Sequence, residues 1–294
     1  MRYRIHHTTS LRYDGVVRLA RFNLRLRPSP WPGQMLKDFT LTLDPAPAEI
    51  EESQGPWIVH RHRLMLREAL SKLTIESRFE IEVAEPGVTP DMDGAPSIAS
   101  IRAAALDLPD LSAMGPASYL FASPMALPSA AIAEWATPFF APDQSVLTAG
   151  HALMGAIHDS FAYDGTATSV TTTAEDAFLQ KRGVCQDFAH VMIVAARAHG
   201  IPAAYVSGYL RTLPPPGQPR LVGADAMHAW AALWCGQEMG WVGFDPTNDV
   251  LAGTDHIFVA MGRDYADIAP IDGVFMGGAG QRLAVSVDVE PVED

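Results

Sequence analysis

An α+β fold is predicted for this 294-residue chain by three observations. Apolar and polar residues alternate in its first 85 residues, an apolar helix pattern starts at Cys185, and a strand–turn–strand pattern follows that helix. The alternation is clearest in Phe22 to Leu26, Phe39 to Leu43 and Leu73 to Val83, with Pro/Gly-rich turns between them. Such segments are half-buried antiparallel strands, so residues 1–85 are expected to form an antiparallel β-sandwich-like domain. The repeated arginines at its polar positions fit a solvated sheet face.

From about Glu85 to Asp110 the composition turns to Pro, Asp, Gly and Ala, which reads as a linker or long loop. Helical patterns follow at Ser129 to Trp135 and Val146 to Phe161; in the second, Leu147, Leu153, Met154 and Ile157 mark one apolar face. The expected division is a β-rich domain over 1–85, a linker and helical segment over 86–145, and a core with a C-terminal strand over 146–294. Within the core, Asp255 to Pro270 reads as a closing loop, Gly277-Gly278-Ala279-Gly280 as a turn and Leu283 to Val289 as a last alternating strand.

In the helix that follows Cys185, Phe188, Val191, Met192, Ala195 and Ala198 recur at the spacing of one buried face, and Gly200 with Pro202 is a stop. Cys185 therefore falls in the first turn. Unpaired backbone N–H groups and the positive end of the helix dipole favour a thiolate there, and the same N–H groups are suited to an oxyanion. Ala226 to Trp234 reads as a strand opening near His228, and Gly240 to Asn248 as a strand ending near Asp245. The short turn-rich link Cys235 to Gly240 makes them an antiparallel hairpin, which sets His228 beside Asp245. An imidazole next to a thiol takes its proton, and a carboxylate on the far ring nitrogen fixes tautomer and orientation.

Four segments in this order, Gly183 to His190, Arg197 to Tyr209, His228-Ala229-Trp230 and Asp245-Pro246-Thr247-Asn248, resemble the transglutaminase-like superfamily. The resemblance is to its bacterial branch with a β-rich N-terminal region, generally read as cysteine proteases. It extends to Tyr3 to Leu26 and to Gly262 to Pro270, and so to most of the chain. It implies a papain-like core with Cys185 as nucleophile, His228 as base and Asp245 as orienter. Ala204 stands where many relatives carry arginine, a departure that bears on substrate preference.

Other polar residues divide between structural and functional readings. Cys235, by a turn and with no base in its own segment, reads as structural. Asp249 is a second acid within reach of the hairpin. His190 and His199, round the helix and at its end, read as structural. Asp187 either favours the helix N-terminus electrostatically or touches substrate amines, the first being preferred. Tyr163 reads as a packed tyrosine, with donation to an oxyanion as the alternative.

Neither metal nor other cofactor is expected. No Cys-x-x-Cys, His-Glu-x-x-His, EF-hand-like or phosphate-cradling motif occurs, and His6 and His7, adjacent in a strand, point to opposite faces. Two cysteines make no disulfide framework, the N-terminus has no apolar leader segment, and no stretch approaches eighteen apolar residues, so a cytoplasmic protein without membrane contact is expected. The net charge of −13 divides into +2 over residues 1–85 and −15 over the rest. That argues against nucleic acid and favours neutral or cationic substrates, unless it serves solubility alone.

Three functions remain open: a cysteine hydrolase of peptide or isopeptide-like amides in a peptide or protein substrate, an acyltransferase of transglutaminase type, and a non-catalytic binding module. Hydrolysis is favoured by the resemblance. The stiff Pro214 to Pro219 segment is a candidate for shaping access to the cleft. Oligomeric state is not indicated.

Overall fold

The computed structural model describes residues 1–89, 92, 94–169, 171–212, 226–277 and 280–292. Six strands come first: β1 (Arg2–Val17), β2 (Leu19–Leu24), β3 (Gln34–Asp44), β4 (Glu49–Gln54), β5 (His60–Leu66) and β6 (Leu70–Val83). A mainly helical stretch follows: α1 (Ile98–Asp107), α2 (Ala130–Ala136), α3 (Val146–Ser160), the short strand β7 (Ala162–Tyr163), α4 (Ala174–Gln180), the short strand β8 (Arg182–Gly183) and α5 (Cys185–Ala198). Then come β9 (Ala203–Leu210), β10 (Ala226–Trp234), β11 (Trp241–Asp245), β12 (Val250–Leu251), β13 (His256–Gly262), α6 (Tyr265–Ile268), β14 (Ile271–Met276) and β15 (Gln281–Pro291). The predicted α+β class is observed.

Two four-stranded antiparallel sheets, ordered β15-β1-β6-β3 and β14-β2-β5-β4, enclose a core of Leu11, Val17, Leu24, Leu64, Leu66, Leu73 and Ile75. Alternation along β6 sends Leu73, Ile75, Phe79 and Ile81 inward, while the outward arginines pair with glutamates, as Arg2 and Arg4 do with Glu80. The last two strands belong here rather than with the core. β15 pairs with β1 from Tyr3↔Pro291 to Tyr13↔Gln281, and β14 pairs with β2. Sequence proximity grouped Leu283 to Val289 with residues 146–294. What decides their position is that β1 would otherwise present an unpaired edge, and that Val287 and Val289 are fully buried once the register is made.

A five-stranded antiparallel sheet, ordered β12-β11-β10-β9-β13, forms the second half with α5 against it. α5 is buried on every side from Gln186 to Ala196, because α2, α3 and α4 cover the faces that the sheet does not. In α3, Gly150 allows contact that no other residue would: a Cβ there would lie 2.7 Å from the Phe244 ring and 3.0 Å from Leu233. Arg197 near the end of α5 donates to the carbonyls of Phe121, Ala203 and Arg263, tying three connections to the helix.

Two segments read as loops contain regular structure. α1 lies in the linker, capped by the Ser97 hydroxyl, which accepts the Ser100 N–H at 3.2 Å, and held by buried Ile98, Ile101 and Ala105. The Pro- and Gly-rich residues upstream of it obscured this start. The expected closing loop holds β13 and α6: Ile257 to Met261 is a continuous apolar run buried on both faces, which gives no period-two signal.

The sandwich covers the outer edge of β13. Ile58 and Met261 exchange backbone hydrogen bonds at 3.1 and 2.9 Å, the Ser29 N–H donates to the Val259 carbonyl, and the Gln34 side chain bonds both backbone groups of Phe258. Trp31 stacks on Phe258 at 4.2 Å.

Candidate active site

The chain enters α5 through a tight turn that begins at Lys181, with φ of +53°, and passes Gly183. Val184 is extended at the N-cap, so Cys185 is the first helical residue, half-buried, with a backbone N–H that has no partner within the helix. Asp187 reaches back to accept the Val184 N–H at 2.8 Å and the Thr168 hydroxyl at 2.7 Å. Gly183 is required by this packing, since a Cβ would fall 2.5 Å from the Asp187 carboxylate. Asp187 thus acts on the helix N-terminus, the preferred reading; burial raises its pKa against these two hydrogen bonds.

The hairpin forms as expected, with Trp234 opposite Trp241 and Ala231 opposite Phe244. Past this register, His228 Nε2 lies 2.8 Å from Asp245 Oδ2. Nδ1 is the ring nitrogen left for Cys185, whose sulfur lies close enough to the same imidazole to act on it electrostatically. Burial alone would lower the pKa of His228, but the Asp245 carboxylate and the Cys185 sulfur outweigh it and hold the imidazole up to about 10. The three residues singled out from sequence therefore meet at one place, His228 bonded to Asp245 and next to Cys185.

Asp245 is fully buried and densely bonded. Oδ1 accepts the backbone N–H of Thr247 at 3.0 Å and of Asn248 at 3.3 Å, an Asx-type turn that explains the Asp-Pro-Thr-Asn run. Oδ2 accepts from His228, from the Asn248 amide at 2.7 Å and from His256 Nε2 at 3.1 Å. Burial raises its pKa, yet these donors win and hold the carboxyl well below the usual range. Asp249, the second acid considered, sits with φ of +54° beside Gly155, its buried Oδ1 unpaired among the described residues.

His256 and Asn248 escaped sequence reasoning. Asn248 ends the Asp-Pro-Thr-Asn run and carries no signal of its own there. His256 heads the strand taken for a loop, and the apolar run after it was the available signal. His256 also lines a cavity of about 360 Å³ with Trp31, Gln34, Trp230, Trp241 and Phe258.

His190 is buried, stacked on Tyr205 at 4.8 Å, and accepts the Tyr265 N–H; burial pushes its pKa down to about 4. His199 Nε2 bonds the Ala133 carbonyl and its ring stacks on Phe140. Cys235 is fully buried, which drives its thiol far up. Tyr163 differs from the packed reading: it is 63% exposed, edge-on to Phe188 and near Cys185, because Phe161 takes the interior place two residues earlier. His7 is buried against Tyr209 and Thr9, while His6 points the other way toward Glu76. Ala204 is buried opposite Ala232. Pro214 to Pro219 lies outside the described residues, as do Gly278 and Ala279 of the turn near the end.

Among the described residues, two side-chain groups have the density of a cation site. In His228–Asp245–His256, the Gly253 N–H donates to His256 Nδ1, so Nε2 carries the proton and has no lone pair for a metal. In Glu52–His60–His62, the carboxylate accepts from His62 at 2.9 Å and already faces the Arg27 guanidinium at 3.3 Å, a charge that opposes a cation.

These shifts give a pH dependence of stability. His228, raised from an ordinary 6.5 to about 10, stabilises the folded state fully below pH about 6.5, and that contribution is lost as pH rises through about 10. His7 and His190, lowered to about 4, act in the opposite sense: stability falls as pH drops from about 6.5 through about 4. The melting temperature is expected to peak near pH 6.5, and His228→Asn should flatten only the alkaline limb. Calorimetry across pH 4 to 10 checks this; a flat alkaline limb in the unmodified protein would contradict the raised imidazole.

Residues 133–246 match the transglutaminase-like superfamily, and residues 3–82 match the bacterial transglutaminase-like N-terminal region. The chain belongs to the transglutaminase-like superfamily. It is 36% identical to an uncharacterised protein of Mycobacterium tuberculosis over 314 aligned residues, covering 99% of this chain and 93% of that one. A shorter stretch of 96 residues is 38% identical to a protein-glutamine gamma-glutamyltransferase of Pseudomonas aeruginosa, covering 32% of this chain and 14% of that one. Its fold is similar to the crystal structure of a candidate cysteine protease from Cytophaga hutchinsonii, with a TM-score of 0.73, 23% identity, and coverage of 100% of this chain and 92% of that one. No helix among the described residues is long and apolar enough to cross a membrane.

Proposed function

We propose that the protein is a cysteine hydrolase of peptide or isopeptide-like amides, with Cys185 as nucleophile, His228 as general base and acid, and Asp245 as the group that orients His228. The observation that carries this reading is the placement of the Cys185 sulfur next to the His228 imidazole, whose other ring nitrogen bonds the buried Asp245 at 2.8 Å. A structural cysteine needs no such partners; Cys235, buried without a base, is the internal contrast.

In the proposed reaction the thiol proton already resides on His228 Nδ1, in keeping with the raised imidazole, and the thiolate sulfur bonds to the amide carbonyl carbon. The oxyanion develops toward the backbone N–H groups at the start of α5. As the C–N bond breaks, His228 returns the proton to the leaving amine, and a thioester to Cys185 remains. A water, deprotonated by His228, then displaces the sulfur, giving the carboxylic acid and restoring the thiol.

Acyl transfer is the second reading, favoured by the local similarity to the glutamyltransferase. It shares every step up to the thioester, which an amine rather than water then resolves. The choice depends on how the cleft admits water. The proposed setting is a reducing compartment, where Cys185 stays a thiol.

The test is to incubate the protein with a mixed glutamine- and lysine-containing peptide library, with and without a primary amine, and read products by mass spectrometry. Amide cleavage without added amine is expected. Products that form only with the amine would replace hydrolysis by transfer.

A further inference from the structure

We propose that His256 is a positioning residue of this site, an imidazole whose Nε2–H holds the Asp245 carboxylate against His228. The inference rests on the function proposed above and adds a residue that it does not require.

Hydrogen bonding defines the tautomer. A backbone N–H can only donate, and the Gly253 N–H points at His256 Nδ1 at 3.2 Å, so Nδ1 is the bare nitrogen. Nε2 therefore bears the hydrogen, and it points at Asp245 Oδ2 at 3.1 Å. Protonating this ring would break the bond to Gly253.

Placement then explains why a second imidazole serves here. His256 opens β13, where its strand pairs with Leu210 at the end of β9, and its ring is nearly perpendicular to Trp230 at 5.2 Å. His228 stacks on the same indole, so Trp230 braces two imidazoles whose Nε2 atoms converge on one oxygen. Among the described residues, Asp245 bonds His256 and His228 faces it ring to ring, Glu85 lines the same cavity, and Asp255, its chain neighbour, is engaged by Tyr3 and Arg211. A carboxylate held by one imidazole could swing about its Cα–Cβ bond. Held by Asn248 and His256 as well, Oδ2 stays where His228 needs it. The Gln34 and Trp31 contacts to Phe258 extend that support into the sandwich.

The experiment compares iodoacetamide alkylation of Cys185 at pH 6 in the unmodified protein, His228→Ala, His256→Phe and His256→Gln, with the modified residue read by mass spectrometry. His256→Phe retains the ring packing without the N–H, and His256→Gln restores a donor. The expected result is about a tenfold slower reaction in His256→Phe, one charge-assisted hydrogen bond's worth, with His256→Gln close to the unmodified protein. A merely structural role would make both variants alike. If the unmodified protein reacts fast and His228→Ala slowly, but His256→Phe is unchanged, the inference falls and the function stands. If unmodified protein and His228→Ala react equally slowly, the function itself falls. Should His256→Phe fail to fold, ¹⁵N shifts of the histidine rings in the unmodified protein, assigned with His256→Gln, decide the matter: a bare Nδ1 and protonated Nε2 support the inference, and the other tautomer or an imidazolium overturns it.

Discussion

Replacing Cys185 with alanine is expected to abolish turnover, by about 10⁴-fold or more, with little change in stability. The side chain lost is small and half-buried at the first position of α5, where alanine is a good helix former, so the helix and Asp187 keep their arrangement. The chemistry has no substitute: a serine at the same place has a far less acidic hydroxyl, which His228 does not deprotonate effectively. His228→Ala is expected to lose nearly as much as Cys185→Ala, and the double variant no more than either. Groups that work as one unit are non-additive because the second removal deletes a function already gone. Rates on a cleavable peptide for the two single variants and the double variant check this. Losses that multiply would mean that the thiol and the imidazole act independently.

The parts of this site that the sequence disclosed are those with a local signature. Cys185 sits before a helix whose face recurs at 3.6 residues, and His228 and Asp245 sit in strands joined by a six-residue turn, so short-range pattern alone brings them together. His256 has no such signature. Its approach to Asp245 depends on β13 pairing with β9 across some fifty residues of chain, and a strand buried on both faces reads as an undivided apolar run. The same reason hid the return of β14 and β15 to the sandwich, a pairing between the two ends of the chain. Tyr163 failed differently: its type favours burial, but its neighbour Phe161 already occupied the interior. Long-range pairing and competition for one interior position are both invisible to periodicity.

The sandwich takes on a role from this. Four contacts from Ser29, Trp31, Gln34 and Ile58 fall on β13 within a few residues of His256. The N-terminal domain thus braces the strand that holds Asp245 from behind, while α5 and the hairpin hold Cys185 and His228 from the other direction. An edge strand without that cover would exchange partners with solvent.

Asp245→Ala is expected to have the largest effect on stability, roughly 3–5 kcal/mol, together with loss of activity. The carboxylate is fully buried and accepts five hydrogen bonds, so alanine leaves the His228, His256 and Asn248 side chains and two backbone N–H groups facing an empty place. Asp245→Asn is expected to retain part of the fold but not the chemistry, since its amide hydrogens would meet donors that already point inward, and His228 would lose the acceptor that defines its tautomer. The pH dependence distinguishes this from a simple packing loss. Asp245 has its pKa lowered by folding, so its contribution is present above the ordinary carboxylate range and is lost as pH falls below it. The stability difference between the unmodified protein and Asp245→Ala, measured by urea unfolding, should therefore narrow from pH 6 toward pH 3. A difference that stays constant over that range, or one below about 1 kcal/mol, would mean that the buried carboxylate is not the centre on which these donors depend.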